Sequence, residues 1–199
     1  MLARGDVMQH RAYGARKRRL FGQIEGRSGA PPVVVEIGAG TGLNAAYLPA
    51  GTRWVAIEPN VHFHERIREA AEAHGLSVEV HAARAEALPV ADGAADAVVS
   101  TLVLCSVADV RQSLAEARRV LRPGGRFVFV EHVAAPEGTM LRRLQRALRG
   151  PWGLVADGCR PDQETEPMIR AAGFADVERE AFRIPGGLVA PHVAGVATV

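Results

Sequence analysis

The chain has 199 residues, of which 48% are hydrophobic, and its formal net charge is +2. This length suits one well-buried core and is short for two ordinary domains. No apolar run approaches the ~20 residues that a membrane-spanning helix needs, and no charged start precedes an apolar secretory segment. The composition therefore predicts a cytoplasmic protein and argues against secretion and against an integral membrane segment.

Residues 1–30 are predicted to form a basic helical arm ahead of the main domain, 31–199. Positive side chains crowd the beginning of this arm: Arg4, Arg11, Arg16, Lys17, Arg18 and Arg19. A basic run of this kind is usually a solvated helix face, so no nucleic-acid partner is expected. The apolar residues that follow, Leu20, Phe21 and Ile24, are expected to pack against the domain.

Beyond the arm, short segments rich in valine and isoleucine alternate with helix-length stretches. Strands are predicted at 33–37, 53–58, 77–82, 96–101 and 125–133, and helices at 61–75 and 109–125. Strands this uniformly apolar are typical of a parallel sheet that is covered on both faces. The alternation therefore predicts an α/β fold with a doubly wound sheet.

The last third of the chain departs from this alternation. Two predicted helices, 138–150 and 161–173, precede the strand-like segments "FADVEREAF" and "HVAGVATV". These two segments are expected to complete a seven-stranded, mostly parallel sheet with an antiparallel C-terminal hairpin at its edge.

The stretch "VVVEIGAGTG" places Gly38, Gly40 and Gly42 directly after the first strand. In doubly wound sheets, ligands bind where the parallel strands end. The dinucleotide fingerprint G-x-G-x-x-G would need glycine at position 43, where the chain has Leu43. Glu58 ends the second strand, where a carboxylate can accept hydrogen bonds from both hydroxyls of a ribose. The glycine turn and this acid together indicate a nucleoside ligand.

Two other strand ends agree with a nucleoside ligand. Ala85 and Glu86 follow the third strand, at a position suited to an adenine edge. Thr101 and Leu102 leave the fourth strand at the mouth of the same site, where they can flank a reacting centre.

No metal site is expected from the sequence. The two cysteines, Cys105 and Cys159, lack CxxC spacing, so neither a zinc site nor a disulfide framework is indicated. They are interpreted as buried small hydrophobic residues.

The segments "EIGAGTG", "IEPN", "AEALP", "DAVVS" and "LRPGG" follow one another in order. In this order and spacing they resemble the class I S-adenosylmethionine-dependent methyltransferases. The resemblance implies a Rossmann-like methyltransferase fold, S-adenosylmethionine as the cofactor and S-adenosylhomocysteine as its product. It also implies a set of cofactor-binding positions: Glu36, Gly38, Ala39, Gly40, Gly42, Glu58, Pro59, Asn60, Ala85, Glu86, Thr101 and Leu102. The N-terminal arm is then expected to cover the cofactor as a lid.

Four further segments, "TLVLCSV", "EHVAAPEG", "DGC" and "PHVAG", resemble the thiol S-methyltransferase branch of the methyltransferase-like proteins. Animal members of that branch carry an N-terminal membrane anchor, and none is expected here. The implied acceptor is a small thiol. A nearby base would help to deprotonate it, because a thiol with a pKa of ~8.5 is only partly ionised at neutral pH. His132 and Asp157 are the predicted catalytic residues, in a monomer or homodimer.

Three alternatives stay open at this point. A nicotinamide-dependent oxidoreductase would share the sheet and the strand-end acid, but Leu43 and the lack of a Tyr-x-x-x-Lys pair argue against it. A non-catalytic cofactor-binding domain would be marked by a broken glycine turn or a lost ribose acid, and both features are intact. Methylation of oxygen, nitrogen or carbon in a small natural product or quinone fits the same sequence features as thiol methylation.

Overall fold

The computed structural model describes residues 2–185 and 187–199, with side chains from residue 9 onward. Its centre is a seven-stranded sheet in the order β3-β2-β1-β4-β5-β7-β6. The strands are β1 (Val33–Ile37), β2 (Arg53–Ile57), β3 (Ser77–His81), β4 (Ala95–Thr101), β5 (Leu121–His132), β6 (Asp176–Arg183) and β7 (Pro191–Thr198). Strands β1 to β5 run parallel, and β7 is antiparallel to both β5 and β6. The predicted doubly wound sheet with an antiparallel C-terminal hairpin is confirmed.

Helices cover both faces of this sheet. They are α1 (Leu2–Phe21), α2 (His64–Ala73), α3 (Val110–Val120), α4 (Met140–Ala147), α5 (Arg149–Val155) and α6 (Thr165–Ala171). Helices α1 and α2 contribute to the hydrophobic cluster on one face, and α3 and α6 contribute to the cluster on the other. Within the part of the chain that the structure describes, no helix is both long and apolar enough to cross a bilayer.

The two faces follow from the alternation of side chains along each strand. In β5, Phe127 and Phe129 pack with Leu114 of α3, whereas Val128 and Val130 belong to the cluster that contains Phe21 of α1. Successive side chains of a strand point to opposite faces, so a continuous apolar run serves both layers at once.

The predicted helix 109–125 is shorter than expected. It begins as expected at Asp109, whose carboxylate accepts the N–H groups of Arg111 and Gln112, but it ends at Val120. Pro123 has no N–H to bond the carbonyl of Arg119, and that carbonyl instead accepts the N–H of Gly93 at 2.9 Å. Strand β5 therefore starts at Leu121 rather than at residue 125.

The predicted helix 138–150 is in fact two helices, α4 and α5, with the junction at Leu148. Pro151 explains the break, because a continuous helix would need its missing N–H to bond the carbonyl of Ala147. Proline is tolerated in the first turn of a helix, where N–H groups lack partners in any case, and this is where Pro151 lies in α5.

The N-terminal arm is only partly the solvated helix that its charge suggests. Leu20, Phe21 and Ile24 are buried, as expected. Lys17 lies in the predicted basic face, yet it is only 2% exposed. The expectation of a wet basic face is therefore wrong at Lys17, because the α1 turn that carries Tyr13 and Lys17 packs toward the sheet.

Candidate active site

Two clefts open where the parallel strands end. The larger cleft, of about 390 Å³, is lined by Gly38, Gly40, Ile57, Glu58, Pro59, Phe63, Ala83, Arg84, Ala85, Glu86, Leu102, Val103, Ser106, Val107, Ala108 and Asp157. The smaller cleft, of about 180 Å³, is lined by Gln9, Lys17, Glu36, Gly38, Ala39, Gly40, Thr41, Leu43, Asn44, Thr101, Leu102 and Val103. Because they share Gly38, Gly40, Leu102 and Val103, one elongated ligand can occupy both. Of the predicted cofactor-binding residues, Gly42 and Asn60 line neither cleft.

The glycine turn after β1 has left-handed backbone at Gly38, Gly40 and Gly42, with φ of 65°, 56° and 80°. A Cβ added at Gly38 would lie 2.5 Å from Val103, and one at Gly42 would lie 2.8 Å from Ala70 of α2. A Cβ at Gly40 would meet nothing within 4 Å. Packing within the protein therefore requires the first and third glycines, whereas Gly40 presents bare backbone to both clefts.

Glu58 holds this turn in place. One carboxylate oxygen accepts the N–H of Gly40 at 2.8 Å, and the other accepts the N–H of Asn60 at 2.9 Å. Each oxygen of an ionised carboxylate can accept a second hydrogen bond. Glu58 can therefore fix the glycine turn and still bind both hydroxyls of a ribose.

Glu36 is buried at the back of the smaller cleft with one oxygen unsatisfied. Oε1 accepts a hydrogen bond from the side chain of Asn44 at 2.6 Å, whereas Oε2 has no partner in good hydrogen-bond geometry among the described residues. The buried indole N–H of Trp54, which also lacks such a partner, faces the same carboxylate. Burial raises the pKa of Glu36 to about 8 and lowers the pKa of Lys17, which lines the same cleft, to about 8. An unpaired buried oxygen is unfavourable until a donor binds it. The two side chains suit the ammonium and carboxylate groups of an amino acid.

The loop after β4 closes the junction of the two clefts. Leu102 adopts φ of 59°, a conformation that is strained for a residue with a side chain. Glu131, which is fully buried, holds this loop by accepting the N–H groups of Val103 at 3.0 Å and Leu104 at 3.2 Å. Its burial raises the pKa of Glu131 to about 7. We did not predict Glu131, although a carboxylate inside the apolar strand "FVFVEHV" was a signal for it.

Ala85 and Glu86, the residues predicted to lie at an adenine edge, line the larger cleft. The carboxylate of Glu86 accepts the N–H groups of Ala108 at 2.7 Å and Asp109 at 3.1 Å. Glu86 therefore ties the wall of the cleft to the start of α3, in addition to lining the cleft itself.

His132 lies at the end of β5 in a buried cluster with two cysteines. Its Nε2 is 3.1 Å from the Sγ of Cys159, and the indole N–H of Trp152 donates to the same sulfur at 3.3 Å. The Sγ of Cys105 lies beside them, so that the two sulfur atoms and a ring nitrogen of His132 are all within 4.8 Å of one another. Both cysteines are buried, as expected, but the sequence did not predict that they would meet His132.

The predicted catalytic residue Asp157 lies apart from this cluster. It lines the larger cleft at an exposed position with φ of 49°. In the described part of the chain no hydrogen bond joins Asp157 to His132. Of the two predicted catalytic residues, Asp157 therefore lines the larger cleft, whereas the buried His132 lines neither cleft.

His192 lies beside His132 on the neighbouring strand and has a structural role. Its Nε2 accepts the hydroxyl of Tyr13 at 2.8 Å, and its Nδ1 bonds the carbonyl of Ala190 at 3.1 Å. Burial lowers the pKa of His192 to about 4, so the ring stays neutral. Both nitrogens are used, which leaves none for an acceptor.

Comparison with known proteins shows which family the chain belongs to. Residues 35–129 match the family model described as a methyltransferase domain. The chain is 40% identical over 197 residues to the human thiol S-methyltransferase TMT1B, covering 94% of this chain and 80% of that one. It is 39% identical over 204 residues to human TMT1A, covering 98% and 83%. A solved structure from Thermotoga maritima, an S-adenosylmethionine-dependent methyltransferase described as a possible histamine N-methyltransferase, has a TM-score of 0.65 at 21% identity, covering 96% and 91%.

The sheet order, the glycine turn and the strand-end acid define a class I S-adenosylmethionine-dependent methyltransferase, and the cofactor is S-adenosylmethionine. Within that class, the chain belongs to the family of the human thiol S-methyltransferases TMT1A and TMT1B. The residues fit the cofactor, because Glu58 and the bare backbone of Gly40 suit its nucleoside, while Glu36 and Lys17 suit its amino-acid end. The oxidoreductase alternative is thereby set aside.

Proposed function

We propose that the enzyme methylates the sulfur atom of a small thiol. The observation that carries the proposal is the likeness to two thiol S-methyltransferases, which extends over 94% and 98% of the chain. The acceptor is expected beside the loop after β4, in a pocket built by Leu102, Leu104, Trp152 and the segment 153–160.

When bound, S-adenosylmethionine supplies a methyl group on a positively charged sulfur. The residues of the two clefts fix its position: Glu58 and Gly40 hold the nucleoside, and Glu36 and Lys17 hold the amino-acid end. Alignment of the acceptor with the methyl group then supplies much of the rate acceleration, because the displacement is in line.

His132 takes the proton of the acceptor in this proposal. Its Nδ1 is buried and has no hydrogen-bond partner among the described residues, so it is available to a thiol that enters beside it. Asp157, at the rim of the larger cleft, helps to orient the acceptor. The enzyme is proposed to act in the cytoplasm as a monomer or homodimer, with no nucleic-acid partner.

The test is a mass-spectrometric screen in which thiols, phenols, amines and quinols compete for the same cofactor. We expect methyl thioethers, at a rate that rises with pH through the ionisation of the thiol. His132→Ala and Asp157→Asn should slow the reaction and still bind S-adenosylhomocysteine. The control is His74→Ala, an exposed residue directly after α2, and this variant should keep the wild-type rate. Ready methylation of a phenol, amine or quinol with no product from any thiol would overturn the proposal.

A further inference from the structure

Cys159 is buried, yet its sulfur has three polar neighbours. The Nε2 of His132 lies 3.1 Å from the Sγ of Cys159. The indole nitrogen of Trp152, which can only donate a hydrogen bond, lies 3.3 Å from the same sulfur. The thiol of Cys105 lies on the third side, within 4.8 Å of both the Sγ of Cys159 and the ring of His132. An N–H that can only donate, together with a histidine ring nitrogen on the same sulfur, favours an anion at that position.

The pKa of the Cys159 thiol is accordingly lowered. The neighbouring thiol of Cys105 is the largest cause; burial opposes it, and His132 and Trp152 add to the lowering. The pKa of Cys105 is raised, chiefly by the same neighbouring sulfur. Cys105 therefore stays protonated, with its S–H directed at the carbonyl of Leu102 at 3.8 Å, while Cys159 ionises.

The ring of His132 is used on one side only. Nε2 faces Cys159, whereas Nδ1 is buried without a partner among the described residues, in a side chain that is 4% exposed. A buried ring nitrogen that lacks a partner is unfavourable unless a ligand supplies one. Which nitrogen of a histidine carries the proton is set by the bond that the other nitrogen makes.

We propose that Cys159 is a positioning residue, a thiolate that accepts the Nε2–H of His132 and so leaves Nδ1 as the base for the acceptor thiol. It thereby takes the role that a carboxylate has in a histidine–aspartate pair. This inference rests on the proposed function, since His132 is there the group that receives the proton.

The S–H bond of the acceptor breaks, its proton goes to Nδ1 of His132, and its electron pair forms the new S–CH₃ bond as the bond from the methyl carbon to the sulfonium sulfur breaks. The products are the methyl thioether, S-adenosylhomocysteine and a protonated His132, which returns its proton to water. The anion of Cys159 stabilises the positive charge that His132 gains.

The test uses the full chain with ¹⁵N-labelled histidine and bound S-adenosylhomocysteine, at about pH 8, where a typical imidazole is neutral. The nitrogen chemical shifts of His132 report which ring nitrogen is protonated. We expect the Nε2–H form in the wild-type protein and a mixture of both forms in Cys159→Ala. An Nδ1–H form, or a doubly protonated ring, in the wild-type protein would overturn the proposal.

Variants of the two cysteines supply a second readout. In Cys159→Ala and Cys159→Ser, kcat should fall by roughly 10- to 100-fold, a part of the usual contribution of a general base, with the KM for S-adenosylmethionine unchanged. Cys159→Asp restores an anion and should recover part of the rate together with the Nε2–H signal. Cys105→Ser keeps a donor and is the matched control with a smaller effect. Wild-type kcat in both Cys159→Ala and Cys159→Ser would overturn the proposal.

The same three side chains form a donor set that a soft metal ion could use, and this is another outcome of the test. One equivalent of metal in the purified protein, lost together with activity on chelation, would overturn the thiolate role. The histidine signals need no acceptor, so they are independent of the acceptor screen. A thiolate-bound Nε2–H with no thiol methylated would contradict the proposed function and leave only the pairing of Cys159 with His132 intact.

Discussion

Glu36 is a buried carboxyl group that lines the smaller cleft. It is 1% exposed, one of its oxygens lacks a partner among the described residues, and burial raises its pKa from 4.5 to about 8. Between these two values the folded protein keeps a proton that the unfolded chain releases. The contribution of Glu36 to the free energy of unfolding is therefore fully present below pH 4.5, and it is lost as the pH rises through about 8.

Glu36→Gln should consequently stabilise the cofactor-free protein at high pH. The stability of the wild type should fall, relative to the variant, by up to about 1.4 kcal/mol per pH unit within this window, and the difference should level off above it. Urea unfolding at a series of pH values measures this difference. The same variant should bind S-adenosylhomocysteine more weakly, because the ammonium group loses its carboxylate. Parallel stability curves for the two proteins would contradict the raised pKa.

Glu58→Gln should weaken the binding of S-adenosylhomocysteine by about 1–3 kcal/mol, or roughly 5- to 150-fold in Kd, because a charged hydrogen-bond acceptor is lost from two ribose contacts. Titration calorimetry measures the change. Glu65→Gln, an exposed acid in the first turn of α2, is the matched control and should bind as the wild type does. Equal affinities of Glu58→Gln and this control would place the ribose elsewhere.

At the scale of single elements, Gly40 and Gly75 lie in loops with similar backbone conformations, but only Gly40 lines the two clefts. Both have left-handed backbone, with φ of 56° and 64°, and an added Cβ would meet no protein atom within 4 Å at either one. Gly40→Ala and Gly75→Ala should therefore lose similar stability, about 1 kcal/mol. Only Gly40→Ala should weaken the binding of the cofactor, since Gly40 lines both clefts. Thermal unfolding with and without S-adenosylhomocysteine separates the two effects, and an equal loss of binding in Gly75→Ala would argue against a direct contact.

The sequence predicted the elements whose signals are local. The strands are continuous apolar runs, and the glycine turn and Glu58 lie beside them in the chain, so their positions at one edge of the sheet follow from the parallel order. The helix boundaries were less accurate, because the effects of Pro123 and Pro151 reach the carbonyl four residues earlier.

The cluster of His132 with the two cysteines was beyond prediction for a different reason. His132 and Cys159 are separated by 27 residues and meet only because α4 and α5 return the chain to the end of β5. No spacing rule for metal or catalytic sites describes such a return. Lys17 was missed similarly, since its neighbours Arg16, Arg18 and Arg19 carry the pattern of a solvated face.

At the scale of the whole molecule, α1 connects the far edge of the sheet to the smaller cleft. Arg16 and Arg19 pair with Glu180 of β6 at 2.7 and 2.9 Å, and Tyr13 bonds His192 of β7. These ion pairs are partly exposed and contribute little stability by themselves. Lys17 lies one helical turn after Tyr13 and lines the smaller cleft. A cofactor that binds Lys17 therefore stabilises the docked position of the helix.

This coupling makes the proposed lid testable by limited proteolysis with trypsin. Cleavage after Arg16, Arg18 or Arg19 requires α1 to open. A ligand that binds only the docked form of α1 slows such cleavage by a factor of about 1 + [L]/Kd, where [L] is the free ligand concentration. The factor is roughly 100 when that concentration is 100 times Kd. We expect S-adenosylhomocysteine to protect these bonds far more than those after Arg179 and Arg183 in the edge strand β6, and NAD to protect neither group. Lys17→Met should reduce the protection of α1 and leave β6 unaffected. Equal protection of α1 and β6, or protection by NAD, would contradict a lid that closes on this cofactor.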